Sequence, residues 1–185
     1  GGTHHAGSNW GEGFCLLNDQ AVAANYLLAN DLAASILIID LDVHQGNGTA
    51  EIFEKNKSVF TFSMHAEKNF PFRKENSDLD VALPNGIGDD EYLYLLEKNL
   101  ENVFSVIKPD FVFYLSGVDI LESDKLGHLS VSREGCKKRD KMVFNYCKTL
   151  NLPVQVSMGG GYSRRIQDIV EAHCNTFRVA FDIYF

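Results

Sequence analysis

The stretch "SILIIDLDVHQGNG" (Ser35–Gly48) runs from an apolar segment straight into Asp40, Asp42 and His44. A short run of branched apolar residues stopped by glycine and asparagine reads as a buried strand. Residues two apart on a strand share a face, so the three ionisable side chains are expected to form one polar row. Leu41 and Val43 would face the other way. Two carboxylates and an imidazole on one face make half of a divalent metal site. The plainer alternative is that Asp42 and His44 form an N-cap and polar loop ahead of a helix near Thr49 to Phe53.

Working outward, strand-like and helix-like segments alternate. "ASILIID" (Ala34–Asp40), "SVFTFSMH" (Ser58–His65), "DFVFYLSG" (Asp110–Gly117) and "PVQVSMGGG" (Pro153–Gly161) are short apolar runs. Helical patterns occupy "LNDQAVAANYLLAND", "DDEYLYLLEKNLENVFSVIK", "SREGCKKRDKMVFNYCKTL" and "YSRRIQDIVEAHCNTF". Apolar strands alternating with helices predict an α/β fold: a single three-layer domain, 1–185, with a mostly parallel sheet covered on both faces. Ala66 to Gly88, with Pro71 and Pro84, lacks periodicity and is expected to be a long functional surface loop.

In such sheets ligands bind at the carboxyl ends of the strands, and each candidate strand here ends in reactive chemistry. The first ends at Asp40 to His44 and the second at Ser63-Met64-His65. The third ends at Ser116-Gly117-Val118-Asp119 and the fourth at Gly159-Gly160-Gly161-Tyr162. Asp119 could complete a site of two carboxylates and one histidine with an open coordination position, although an Asp after a strand is common. His4 and His5 could be a turn or, beside a metal-activated water, a base and an acid. "GGGY" could be a tight turn or a way to bring the phenol of Tyr162 to an oxyanion. His65 and His128 show no partner in the sequence, and His173 is expected on a helix surface.

The 185 residues suit one domain with one core. Net charge is −8, and no basic run is long enough for a nucleic-acid groove. "REGCKKRDK" (Arg133–Lys141) mixes signs and reads as a solvated helix face. The cysteines at 15, 136, 147 and 174 are scattered, which favours reduced thiols in a cytosolic protein over disulfides. No apolar run reaches the ~18–20 residues of a membrane span. The chain shows no signal peptide and opens abruptly on "GGTHHA" without an initiator Met, so further sequence is expected upstream.

With "GGTHHA…GEGFC…N", "DLDVHQGNGT", "SGVDILESDKLGHLSVS" and "GGGY" in this order, the chain resembles the zinc-dependent histone deacetylases of the arginase/deacetylase fold, from Gly1 to Tyr162. "HQGNG", with Gln45 and Asn47 where most classes have His and Asp, is most similar to class IV and its bacterial homologues, as is "GDDEYLYLLEKNL". The family domain is longer, and an early strand and an acidic rim loop expected before Gly1 are absent.

The resemblance implies roles. Asp42, His44 and Asp119 would be the zinc ligands, His4 and His5 the pair at the water, and Tyr162 the phenol that polarises the carbonyl. Gly13 and Phe14 would form one wall of an acyl-lysine channel, Phe70 the opposite wall, and Gly160 would line it. Asp40 would orient His4, and Asn47 would stand behind His5. Potassium would bind near Asp40, Asp42, His44, Ser63 and Met64. A neutral Asn47 cannot stabilise an imidazolium by charge, so His5 is expected to be less basic than with an Asp partner, and activity to persist to lower pH.

The implied activity is a zinc-dependent amidohydrolase that removes acetyl or longer acyl groups from the ε-amine of lysine in proteins. The alternatives are deacylation of small acylated amines such as acetylpolyamines, or a non-catalytic acyl-lysine reader. The expected partner is an acyl-lysine protein or small acylated amine, with no nucleic acid and no membrane, in the cytoplasm.

Overall fold

A computed structural model of the chain describes residues 2–185; Gly1, where the first motif opens, lies outside them. The element order is α1 (Asp19–Ala29), β1 (Ile36–Asp40), α2 (Asn47–Phe53), β2 (Val59–Ala66), β3 (Leu79–Leu83), α3 (Asp89–Val106), β4 (Phe111–Leu115), α4 (Arg133–Thr149), β5 (Val154–Ser157) and α5 (Ile166–Tyr184). The five strands form one sheet in the order β3-β2-β1-β4-β5. Every neighbouring pair is parallel. The expected three-layer α/β architecture is what the chain adopts.

β1 is central and buried throughout, as the apolar run from Ile36 to Ile39 requires. Its side chains alternate between two cores. Ile36 and Ile38 pack with Ala21, Ala24 and Phe53 of α1 and α2. Leu37 and Ile39 pack with Tyr92, Leu96, Val143, Phe144 and Val179 of α3, α4 and α5. Burying each such aliphatic side chain contributes about 1.5–3 kcal/mol, so these two clusters set the layers. Asp40, next in the alternation, falls on the α1–α2 side.

The chain builds β1, β2 and β3 outward on one side, then returns to lay β4 and β5 on the other. The order therefore reverses between β1 and β4. Connections leave their carboxyl ends in opposite directions there, which opens a crevice at a topological switch point.

Three expectations need correcting. The segment from 66 to 88 is not all loop: Leu79–Leu83 is an edge strand pairing with β2 from Phe62↔Leu79 to Ala66↔Leu83. Its alternating, half-exposed pattern is short and carries Asp80, which hides it among turn residues. The last helix starts at Ile166 rather than Tyr162, because Ser163 bridges to Asp124 and the Tyr162 N–H is taken by the Asp124 side chain. Finally, "REGCKKRDK" is not wholly solvated. Cys136, Arg139, Asp140, Val143, Phe144 and Cys147 form the buried stripe of α4, and Arg139 has no solvent exposure.

The cysteines at 15, 136, 147 and 174 are all free thiols. Among the described residues no helix is long and apolar enough to cross a membrane.

Candidate active site and metal centre

The loops leaving β1 and β4 meet at the switch point. β1 ends at Asp40, so Asp42 and His44 lie beyond the strand, and the strand-face argument does not itself place them. A ladder of side-chain bonds does. The Asp42 N–H donates to Asp40 Oδ1 at 3.1 Å, and the His44 N–H donates to Asp42 Oδ1 at 2.9 Å. The Val43 N–H donates to Asp119 Oδ1 at 3.0 Å, which ties the two loops together. The N-cap of α2 is Gly46, so neither Asp42 nor His44 caps that helix.

Asp42, His44 and Asp119 are buried, with one donor atom from each lying within 4.8 Å of the others. His44 Nδ1 lies 3.1 Å from Asp42 Oδ1 and 3.3 Å from Asp119 Oδ2. Asp119 Oδ2 is buried and has no hydrogen-bond partner among the described residues. A buried carboxylate oxygen left so is costly unless a cation takes it. Two hard oxygens, that one included, and one imidazole lying together fit a divalent metal with coordination positions to spare.

Burial opposes charge on His44, but the carboxylates of Asp119 and Asp42 beside it outweigh burial and push the imidazole up to about 10. Burial and the charge of Asp42 push Asp119 up to about 7. Burial likewise disfavours the Asp42 carboxylate, yet His4 and His44 hold its pKa well below the usual range.

The loop carrying His4 and His5 is fastened over α2. Asn18 caps α1 and bonds Ala6 O and Thr49 Oγ1, and the Thr49 N–H reaches His4 O. His4 Nδ1 meets Asp40 Oδ2 at 2.6 Å, and its Nε2 lies 3.8 Å from Asp42 Oδ1. Burial opposes its charge, but Asp40 and Asp42 prevail and raise it to about 9. His5 Nδ1 meets Asn47 Oδ1 at 2.7 Å. Burial and the neighbouring His4 hold His5 down to about 3. One histidine is thus built to keep a proton and the other to lack a second one.

A cavity of about 370 Å³ joins these groups: His4, His5, Asp42, His44, Asp119, Gly13, Phe14, Phe70, Gly160 and Tyr162 all line it. Phe14 is 91% exposed at its mouth, on a backbone with φ of +66°. Phe70 stands edge-on to His5, ring centroids 4.9 Å apart. Gly13 and Gly160 sit at positive φ, and a Cβ on either would collide, with the His5 ring and with the Asp119 carboxylate respectively. Burial and the nearby Asp119 and Asp42 push the Tyr162 phenol up to about 12, so it keeps its proton and can donate it. Asp40 and Ser63 are register partners on β1 and β2, with Met64 next along the strand.

Histidines without a visible partner in the sequence find places. His65 Nδ1 bonds Ser63 Oγ at 2.9 Å, and His128 lines the cavity. His173 is half-buried on α5 rather than fully at the surface: its Nδ1 is buried with no partner among the described residues, and burial lowers its pKa.

Several contributors escaped the sequence reading. Arg139 donates from α4 to Leu41 O, Ser116 O and Gly117 O, the backbone just before Asp42 and just before Asp119. Its guanidinium pairs with Asp140 at 2.8 Å, and Asp140 also accepts from Tyr114 and Thr176. The spacing of Cys136, Asp140, Val143 and Cys147 was the available signal, masked by the charge run around it. Gln45 donates to Glu75 O and Asp80 Oδ1, stapling the 66–78 loop to the site. Asn69 donates to Leu126 O and Gly127 O, joining two parts of the cavity wall.

A profile of the histone deacetylase domain matches residues 1–177. An uncharacterized protein of Picosynechococcus sp. is 49% identical over 184 residues, covering 100% of this chain and 61% of its own length. Histone deacetylase 2 of Arabidopsis thaliana is 33% identical, covering 92% of this chain and 46% of its own. Among solved structures, a histone deacetylase homologue from Aquifex aeolicus superposes with a TM-score of 0.83 at 30% identity, over 98% of this chain and 50% of that one. The chain thus spans between about half and three-fifths of the length of these relatives.

Proposed function

The chain belongs to the histone deacetylase domain family, and on that premise we propose that it is a zinc-dependent amidohydrolase acting on acylated lysine. The observation that carries this reading is a single cavity holding the Asp42–His44–Asp119 triad together with His4, His5 and Tyr162. A non-catalytic reader of acyl-lysine needs an apolar slot, not two histidines held in opposite protonation states. The Gln45–Asn47 wording of "HQGNG" supports placing the chain in the class IV branch.

Asp42, His44 and Asp119 would hold the zinc. When bound, the ion supplies Lewis-acid chemistry, polarising the amide carbonyl and making water acidic enough to ionise near neutrality. The remaining work falls to the chain. His5, its Nδ1 engaged by Asn47, has Nε2 as its free base and takes the proton of the attacking water. The water oxygen bonds to the acyl carbon, Tyr162 donates to the oxyanion, and the C–N bond breaks. The proton held by His5 passes to the amine nitrogen, giving a carboxylic acid and free lysine. His4, charged between Asp40 and Asp42, lends positive charge beside the developing anion. Phe14 and Phe70 would flank the aliphatic stem of the lysine. A potassium ion near Asp40, Ser63 and Met64 would be a second, structural cation.

The test is hydrolysis of peptides bearing acetyl-, octanoyl- or myristoyl-lysine, beside acetylspermidine, by the zinc-loaded chain. Turnover of lysine peptides is expected and would rank the acyl lengths. Turnover of acetylspermidine alone would move the chain to small-amine deacylation. Zinc binding without any turnover would favour the reader.

A further inference from the structure

The partner of His5 is an amide, and an amide has two nearly isosteric ends. If Asn47 Oδ1 faces His5 Nδ1, the ring proton sits on Nδ1 and Nε2 is a base. If Asn47 Nδ2 faces it, the proton moves to Nε2 and the base is lost. Something must choose between these, and Asn47 itself cannot.

The Asn47 side chain meets a second group on its far side: Asn47 Nδ2 donates to Glu12 Oε1. A carboxylate accepts and does not donate. The NH2 end must therefore face Glu12, and the oxygen end must face His5, where it bonds Nδ1. Glu12 is held for this by its own turn. The Cys15 N–H closes onto Glu12 O at 2.8 Å, and Gly13, at positive φ, wraps the backbone against the His5 ring.

We propose that Glu12 is a positioning residue for the reaction: through the Asn47 amide it selects the His5 tautomer whose Nε2 can accept a proton. The inference rests on the reading of His5 as the base, and it deepens that reading by supplying what a neutral Asn lacks. An Asp behind His5 would accept only, so it would need no selector. Here the fixed acceptor is one link further out, in "GEGFC", where it reads as an ordinary loop acid.

Glu12 is solvent-exposed, so Glu12→Ala should leave the fold intact. Two measurements test the role. Long-range proton–nitrogen correlation spectra of the histidine rings report the His5 tautomer without any turnover. The native chain should show the proton on Nδ1 alone, and Glu12→Ala a population on Nε2. In acyl-lysine hydrolysis, Glu12→Ala should lower kcat about tenfold with KM changed by less than about twofold.

Asn47→Asp provides the second arm. In that background Glu12→Ala should raise kcat instead of lowering it, because two facing carboxylates repel and the selector is redundant. A Glu12→Ala chain with the native tautomer overturns the proposal. So does an equal loss in both backgrounds, which would mark a merely structural residue. If the native chain turns over no acyl-lysine substrate, the deacylase reading fails, and the tautomer measurement still decides the part played by Glu12.

Discussion

His4 and His5 are consecutive, with ring centroids 4.1 Å apart, yet their Nδ1 atoms are held by chemically opposite partners. Asp40 takes one at 2.6 Å and Asn47 the other at 2.7 Å. A buried carboxylate favours imidazolium, whereas a neutral amide leaves burial and the adjacent charge to suppress it. Two histidines with different duties follow from the difference between one carboxylate and one amide.

Asn47→Asp should therefore alter the pH–rate profile. His5 works as a base only when neutral, so with zinc kept saturating at every pH, activity falls on the acid side as His5 protonates. Burial and His4 hold it down to about 3. An added anion favours the imidazolium, so the acidic limb should move to higher pH by about 1–2 units. An unchanged limb would show that the residue behind His5 does not set its basicity.

Zinc binding should release protons. The metal needs His44 neutral and Asp119 ionised, while in the protein His44 is pushed up to about 10 and Asp119 to about 7. Protons and metal compete below those values, so affinity must rise with pH. Calorimetry at pH 7 in buffers of different ionisation enthalpy should detect at least about one proton released per zinc, with apparent affinity climbing about tenfold or more per pH unit between 6 and 8. Binding without proton release would contradict the assigned donors.

Gly160→Ala should weaken the metal centre. At φ of +55° a Cβ would strike the Asp119 carboxylate, and ligands displaced from outside typically lose about 10–100-fold in metal affinity. Gly86→Ala is the control: its φ is +78° with nothing within 4 Å, so it carries the backbone strain alone. Equal zinc affinity in both variants would show that Gly160 is only a turn.

Arg139→Met should be far worse for stability than Arg139→Met combined with Asp140→Leu. Asp140 and Arg139 are both fully buried, so removing one leaves a stranded charge, at a cost of about 3–5 kcal/mol. Replacing both, as Arg139→Met with Asp140→Leu, should recover most of that stability in urea melts. Zinc affinity should stay low in the double variant, because the backbone before Asp42 and Asp119 loses its shared donor.

The sequence made the sheet and the reacting groups legible for a physical reason. β1 is buried on both faces and is apolar up to its last residue, and Asp40, Asp42 and His44 are conspicuous because nothing about the core calls for them. What stayed hidden depends on partners distant in sequence. Arg139 looks like surface until its three carbonyls are seen, and β3 is an edge strand that needs only half a stripe. The convergence of Asp42 with His44 was anticipated for a reason that does not hold, since both lie past the strand end and are aimed by side-chain bonds. Glu12 carries no signal in the sequence because its role passes through the orientation of one amide.

The most direct test compares the zinc-loaded chain with its Tyr162→Phe variant on an acetyl-lysine peptide, with bound zinc measured in both. Loss of one oxyanion donor should lower kcat by about 10²–10³ while zinc content stays equal, since Asp42, His44 and Asp119 are untouched by the substitution. Equal turnover in the two would contradict the assignment of Tyr162 and, with it, the amidohydrolase built around this cavity.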